Sequence, residues 1–177
     1  MDVKEAIEKR KSTRSFLPKP VPINVVKEIL RFANMAPSAG NLQARDFIIV
    51  DEEEKKNALA KAAHQAFIKD APLIIVACAN YKRIAPYGVR GRELYVIQDV
   101  SAAVQNILLA ATDYGLGTCW VGAFDEEAVS SILSLPSYIR PLALIPIGYE
   151  SMKERKTERV NINNLIHFNK WEGDKWR

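Results

Sequence analysis

Residues 10–14 read Arg-Lys-Ser-Thr-Arg and concentrate three cations and two hydroxyl groups in one short run, called here the basic run. Guanidinium and ammonium groups mixed with hydroxyl donors suit a phosphate and the polar chain attached to it. The alternative is a solvated helix end, where cations complement the negative end of the helix dipole. The basic run alone does not decide between these interpretations.

A second polar segment, residues 36–43, reads APSAGNLQ and is called here the amide loop. Its small residues let a flat ligand approach the backbone, while Ser38, Asn41 and Gln43 present hydrogen-bond donors and acceptors. A helix stop followed by a turn explains the same residues without a ligand.

A third segment, residues 115–122, reads GLGTCWVG and is called here the glycine segment. Its glycines permit close approach of the main chain to a ligand. Trp120 could form a wall for a planar ring, but core packing is the preferred interpretation of this residue. The segment follows a helix and opens none, so it is not a dinucleotide-binding GxGxxG fingerprint.

Other catalytic chemistries find little support. Cys119 has no histidine placed as its base, and a buried thiol beside glycines is the commoner case. Cys78 and Cys119 form no CxxC pair, and His64 and His167 lack metal-ligand spacing, which excludes the usual zinc patterns. Carboxylates cluster only on polar faces such as residues 52–54, where solvation is the default.

The composition is that of one soluble domain: 177 residues, 48% hydrophobic, 26% charged, with a net charge of +4. The cations are interspersed with acids, so no nucleic-acid partner is expected. The longest uninterrupted apolar run, residues 73–79, is strand-sized, so no membrane span is expected. The N-terminus carries acids and no apolar segment, which predicts a cytoplasmic protein.

Hydrophobic periodicity predicts alternating helices and strands, with an irregular connecting loop over residues 81–91. Helices are expected over residues 2–11, 23–35, 52–68, 94–114 and 126–133. Strands are expected over residues 47–50, 73–79, 118–121 and 142–148. The residue pattern therefore gives an α/β or α+β class with one central sheet flanked by helices.

Taken together, the segments resemble the FMN-dependent nitroreductase family. Its members carry R-(R/K/H)-S-x-(R/K), then A-P-S-x-x-N-x-Q, a central helix with D-x-x-x-A-x-x-N, then G-(L/I)-G-(T/S)-x-W, a Gly-Tyr pair and a basic tail. This chain matches these motifs in order at residues 10–14, 36–43, 99–106, 115–122, 148–149 and 156–159. Each motif is short, but their shared order over nearly the whole chain makes the resemblance specific.

The resemblance implies an α+β, three-layer α/β/α fold with a mixed, mostly antiparallel central sheet, in an intertwined homodimer. Residues 1–177 would form one domain, with residues 150–177 as an arm on the partner subunit. It also implies one tightly bound FMN per subunit and NADH or NADPH as the electron donor. The implied cofactor-binding residues are Arg10, Lys11, Ser12, Arg14, Pro37, Ser38, Ala39, Asn41, Gln43, Cys119, Trp120, Val121, Gly122, Lys156 and Arg159.

Individual roles follow from the matched positions. Arg10 and Ser12 match residues that hold the phosphate and the ribityl chain, and Arg14 matches a cation near the pyrimidine edge of the ring. The amide loop matches a segment that reaches the flavin bound mainly by the partner subunit. The glycine segment covers the other side, where a main-chain N–H approaches flavin N5. Lys156 and Arg159 match the tail cations of the phosphate site.

The sequence departs from the family pattern at three places. Ala44 and Arg45 follow Gln43 where many members have proline and tryptophan, so the local wall differs. Arg155 is an alternative to Lys156, because the tail spacing is shifted by one residue. Residues 81–92 are shorter than in many relatives, which predicts a more open pocket. Lys11 and Thr13 have no individual role, and solvation or packing suits them.

The expected function is hydride transfer from NAD(P)H through FMN to a nitroaromatic, a quinone or a similar small acceptor, by a ping-pong mechanism. Trp120 or Tyr87 is a candidate for stacking on an aromatic acceptor. The alternatives are a flavin enzyme of the same fold with other chemistry, such as a reductive dehalogenase or a flavin-modifying enzyme, and a flavin-binding electron carrier without its own substrate.

Overall fold

The computed structural model describes residues 1–152, 154 and 156–174. Its centre is an antiparallel sheet with the strand order β1-β2-β4-β3. The strands are β1 (Arg45–Val50), β2 (Leu73–Asn80), β3 (Gly117–Thr118) and β4 (Ile139–Gly148). The α-helices are α1 (Val3–Lys9), α2 (Ile23–Asn34), α3 (Glu53–Ala62), α4 (Gly88–Arg90), α5 (Val96–Asp113) and α6 (Glu126–Ile132).

Two hydrophobic layers cover the two faces of β2, which is buried along its whole length. Successive strand side chains point to opposite faces, so Ile75 and Ala77 pack with α2 and α5, whereas Ile74 and Val76 pack with α3 and α6. The predicted three-layer α/β/α arrangement is thereby confirmed.

The predicted helix over residues 52–68 is wrong in its second half, because α3 ends at Ala62. His64 adopts the left-handed conformation with φ of 52°. The His64 N–H donates to the Lys61 carbonyl at 3.0 Å, and the Gln65 N–H donates to the Ala60 carbonyl at 3.1 Å. These two bonds form a Schellman end, which satisfies the last helix carbonyls without glycine.

The predicted irregular loop over residues 81–91 is also wrong from Ala85 onwards. A 3₁₀ turn (Ala85–Tyr87), α4 and a π-helical turn (Gly91–Tyr95) lead directly into α5. Gly91 lies at the end of the predicted loop, but a Cβ there would lie 2.5 Å from the Tyr87 Cβ. This glycine therefore allows close packing of successive helical turns.

The helical stretch Ala85–Asp113 is long and apolar enough to cross a membrane by length and composition. Polar residues interrupt this stretch, so it contains no uninterrupted apolar run of membrane-spanning length. Its α5 part buries a full face against the sheet and α2, as a core helix does. The buried apolar residues of α5 are Val96, Val100, Ala103, Val104, Ile107, Leu108 and Ala111.

Candidate functional site

The basic run lies alongside β3, so two of the motifs meet at one edge of the sheet. Ser12 forms a parallel bridge with Thr118. The Thr13 N–H also donates to the Thr118 carbonyl at 2.8 Å. The four strands of the sheet pair antiparallel with one another. With this short parallel bridge the sheet is mixed and mostly antiparallel, as expected.

The glycine at position 117 is required by contact with Thr13. This corrects the interpretation that this glycine lets the main chain approach a ligand. A Cβ on Gly117 would lie 2.6 Å from the Thr13 Oγ1 and 2.8 Å from its Cβ. Thr13 is 1% exposed, so its packing role is confirmed. The absence of a side chain at Gly117 therefore lets β3 lie close to the basic run of the same chain.

Two carboxylates that sequence analysis missed neutralise part of the basic run. The Lys11 Nζ lies 2.6 Å from the Glu150 Oε1, and the Arg14 Nη1 lies 3.7 Å from the Glu154 Oε2. The Glu154 side chain also accepts a hydrogen bond from the Arg14 main-chain N–H. Within the described part of the chain, Arg10 forms no ion pair and is the cation of the run left for an anion.

The C-terminal cations take different positions. The Lys156 ammonium donates to the Glu8 carbonyl on α1, which places it near the basic run. The Arg159 Nη1 donates to the Thr157 Oγ1 at 3.2 Å, and its side chain is exposed. Arg155, the alternative tail cation, lies outside the described residues.

Residues 119–122 continue from β3 along β4 with alternating hydrogen bonds. The Cys119 N–H donates to the Pro146 carbonyl at 3.4 Å, and the Val121 N–H donates to the Leu144 carbonyl at 2.9 Å. The predicted strand over residues 118–121 is thus reduced to β3 and this bridge. Among the described residues, the N–H groups of Trp120 and Gly122 donate to no other main-chain group, which leaves them for a ligand.

Trp120 does not pack in the core of this chain, because 39% of its surface is exposed. The core-packing role preferred from the sequence is therefore wrong for this chain, and the exposed ring is free to cover a bound ring.

The thiol of Cys119 is poorly suited to nucleophilic catalysis. Burial raises its pKa, while the nearby Arg14, Ser12 and Arg10 lower it and only partly offset the effect of burial. Burial also raises the pKa of Cys78 to about 12. Since the thiolate is the reactive form, both cysteines are expected to be inert.

We expect neither cysteine to react measurably with iodoacetamide in the folded protein at about pH 8, because a raised pKa leaves little thiolate and burial blocks access. Mass spectrometry after timed alkylation measures this. Denaturation in guanidinium chloride should expose both thiols to modification. Rapid labelling of native Cys119 would contradict the inert assignment.

The amide loop is held in a tight conformation at the start of β1. Gly40, Asn41 and Gln43 all have φ near +50°, with values of 54°, 55° and 49°. The Ser38 Oγ accepts from the Gln43 N–H at 3.0 Å. A Cβ on Gly40 would lie 2.6 Å from the Tyr87 hydroxyl, so the turn preceding α4 covers this loop.

Within one chain, the amide loop does not meet the basic run. Gly117 on β3 pairs with Gly148 on β4. Arg45 on β1 pairs with Ala79 on β2, which pairs with Arg140 on β4. Arg140 lies eight residues before Gly148. At about 3.3 Å per residue, and with β1 and β3 at opposite edges, the two motifs lie on the order of 25 Å apart. The structure thus joins the basic run, the glycine segment and Lys156, and places Pro37, Ser38, Ala39, Asn41 and Gln43 at the opposite corner.

Known proteins of similar sequence carry the same fold. The model of the nitroreductase family matches residues 7–69 and 60–149. A candidate NADH dehydrogenase/NAD(P)H nitroreductase of Methanothermobacter thermautotrophicus is 33% identical over 176 residues, covering 97% of this chain and 88% of the relative.

Solved structures agree with this assignment. NfrA2 of B. megaterium has a TM-score of 0.92 and 26% identity, covering 98% of this chain and 77% of its own. The NADPH:FMN oxidoreductase of Vibrio harveyi, complexed with NAD⁺, has a TM-score of 0.89 and 26% identity, covering 97% of this chain and 78% of its own. The chain belongs to the nitroreductase family.

Proposed function

We propose that this protein is an FMN-dependent NAD(P)H oxidoreductase that passes electrons to a nitroaromatic, a quinone or a similar small acceptor in a ping-pong cycle. The observation that carries the proposal is the registry between the basic run and the glycine segment, fixed by the pairing of Ser12 and Thr118. It puts guanidinium, hydroxyl and main-chain donors at one edge of the sheet. A cytoplasmic location completes the proposal.

The donor set fits a flavin mononucleotide. Arg10 has no ion-pair partner among the described residues, and Lys156 lies close to it on the C-terminal side of α1. A phosphate is the anion that such cations and the Ser12 hydroxyl suit. Arg159 is assigned to the same end, although in one chain its guanidinium contacts Thr157.

Arg14 is assigned to the other end of the cofactor. When bound, FMN would supply hydride chemistry that the side chains of this protein do not offer. The Arg14 guanidinium would stabilise the negative charge that two-electron reduction leaves at the pyrimidine edge. The hydrogen bond from the Arg14 main-chain N–H to Glu154 holds this residue in place. The ion pair of the two side chains is long, 3.7 Å, and 56% of the Arg14 side chain is exposed, so Glu154 neutralises the guanidinium only in part.

The N–H groups of Trp120 and Gly122 are the candidates for the contact with flavin N5. Cys119 and Val121 are assigned to the same wall, but their N–H groups are used by β4. The exposed Trp120 ring and Tyr87, which is 41% exposed, remain available to an aromatic acceptor.

A homodimer would complete the site. The amide loop lies too far from the basic run of its own chain, so a second copy must supply it. In the described part of the arm, residues 150–152, 154 and 156–174, several large apolar side chains are exposed for such an interface: Met152, Val160, Ile162, Leu165, Ile166, Phe168 and Trp171. A groove of about 380 Å³ between α1, α2 and α5 also exposes Phe32 and Met35.

Anaerobic titration with NADH and with NADPH tests the proposal most directly. The purified protein is expected to be yellow, to hold FMN in near-equal molar amount, and to lose its flavin absorbance with at least one nicotinamide. An acceptor panel of nitroaromatics and quinones should then restore the absorbance, and double-reciprocal plots should be parallel.

Each alternative has its own result. A colourless protein that FMN does not reconstitute overturns the proposal. Bound FMN that neither nicotinamide reduces favours a flavin enzyme with other chemistry. Bound FMN reduced only by a second protein favours an electron carrier. Light scattering of the holoprotein tests the homodimer independently of these outcomes.

A further inference from the structure

Arg45, at the start of β1, uses every N–H donor of its guanidinium although only 3% of the residue is exposed. A guanidinium has five such donors and no acceptor. They bond to the Asn34 Oδ1 at 3.4 Å and to four carbonyls: Asn34 at 2.9 Å, Ala36 at 2.7 Å, Pro37 at 3.3 Å and Asp99 at 3.2 Å. Arg45 therefore gathers the end of α2 and the start of the amide loop.

Asp99 on α5 holds the same loop from the other side. Its Oδ1 accepts from the Ala39 N–H at 3.0 Å. Burial lowers the pKa of Arg45, and the charge of Asp99 opposes that shift. Among the described residues, the two side chains form no direct ion pair, so the carbonyl dipoles solvate most of the buried cation.

A chain of side-chain hydrogen bonds runs from Arg45 to the tip of the loop. The Asn34 Nδ2 donates to the Gln43 Oε1 at 3.1 Å. The Gln43 Nε2 then donates to the main-chain carbonyl and to the Oδ1 of Asn41, both at 3.4 Å. Among the described residues, the Asn41 Nδ2 has no hydrogen-bond partner, because it is the Oδ1 of this amide that accepts from Gln43.

The orientation of each amide group in this series of hydrogen bonds is fixed from both ends of the series. Arg45 can only donate, so Asn34 must turn its oxygen toward Arg45 and its nitrogen toward Gln43. At the other end, the Asn41 carbonyl can only accept, which requires the Gln43 nitrogen there. Both conditions select the same amide orientations.

We propose that Arg45 is a positioning residue that makes Asn41 present an N–H donor, and not a carbonyl oxygen, to the bound cofactor. This inference rests on the proposed function, in which the amide loop reaches the flavin of the partner subunit. An oxidised flavin ring has carbonyl oxygens and unprotonated nitrogens, which accept hydrogen bonds from such a donor, and one N–H, at N3, which needs an acceptor. The proposal assigns Asn41 to one of the accepting atoms. Arg45, at the place where many relatives have tryptophan, would thus set the polarity of the contact.

Asn34→Asp tests the proposal because it changes the direction of the chain with nearly unchanged shape. An aspartate accepts from Arg45 but cannot donate to Gln43. Gln43 must then lose this bond or turn its nitrogen away from the Asn41 carbonyl. In both cases the bond that orients the Asn41 amide is weakened or lost. Asn34→Ala breaks the chain without adding charge. We expect a rise in the FMN dissociation constant of about fivefold for Asn34→Ala and about tenfold or more for Asn34→Asp.

Two controls separate polarity from charge and from stability. Asn24→Asp makes the same substitution at the exposed start of α2 and should leave FMN affinity unchanged. Arg45→Lys keeps the charge but loses the donor to Asn34, so its FMN affinity should fall to that of Asn34→Ala. Arg140→Lys makes the same substitution at the exposed ion pair with Glu126 and should leave the FMN affinity unchanged. The absorption maximum of bound FMN should shift only in the Asn34 and Arg45 variants.

The outcomes distinguish this inference from the proposed function. Wild-type protein that does not bind FMN overturns the proposed function and the inference with it. Wild-type protein that binds FMN, together with Asn34 variants of unchanged affinity and spectrum, overturns the inference alone. Asn34→Asp keeps the acceptor for Arg45 and, because Asn34 is exposed, should fold with a nearly wild-type melting temperature. Asn34→Ala removes that acceptor and should have a slightly lower melting temperature, so its FMN affinity is measured well below that temperature.

Discussion

Gly117→Ala is expected to lower the free energy of unfolding by about 3 kcal/mol and to weaken FMN binding. The added Cβ would lie within 2.8 Å of three Thr13 atoms, including its Cβ, which cannot move without the backbone. Thr13 is anchored by its N–H bond to the Thr118 carbonyl. Relief of the clash must therefore separate the basic run from β3. Urea unfolding and FMN titration measure the two effects.

Gly122→Ala is the matched control for stability, because the nearest atom to its added Cβ is the Trp120 Nε1 at 4.0 Å. Combining Gly117→Ala with Thr13→Gly removes the clashing side chain. We expect the double variant to be more stable than the sum of the two single changes predicts, by about 1 kcal/mol or more. Strict additivity would show that the contact between these residues does not carry the effect.

Arg10→Ala is expected to raise the FMN dissociation constant by about 10- to 100-fold, the loss of one to two charge-assisted hydrogen bonds. The half-buried Arg10 caps α1 through its main-chain N–H, which donates to the Ala6 carbonyl and is kept in the variant. The fold and the proposed dimer should persist. Fluorescence titration of FMN and light scattering measure the two properties.

Lys9→Ala is the control for Arg10→Ala, since it removes a neighbouring cation of the same helix. The Lys9 Nζ pairs with the Glu5 Oε1 at 2.6 Å on the surface, and 57% of the Lys9 side chain is exposed. An exposed pair of this kind contributes little, so FMN affinity should stay within about twofold. Equal affinity of wild type and Arg10→Ala would remove the phosphate assignment from Arg10.

Buried faces could be predicted from the sequence where the apolar spacing within a single helix or strand determines which side chains are buried. The helical spacing of α2 predicts a buried stripe of Val26, Ile29, Leu30 and Ala33. Three of the four are fully buried, and Leu30 is half-buried against the same core. The apolar run that became β2 is buried on both faces for the same reason. Such patterns fail where packing overrides propensity, as at His64, whose left-handed conformation ends α3, and at Gly91, which continues a helical stretch.

The basic run by itself left an anion site and a solvated helix end open, and the order of the motifs predicted the family. Only the tertiary structure decided which cations remain available, because Glu150 and Glu154 come from the distant tail to Lys11 and Arg14. It also placed the amide loop at the far corner of the sheet and gave Arg45 its five acceptors. These contacts depend on strand order and register, which join residues far apart in the chain and leave no periodic trace in the sequence.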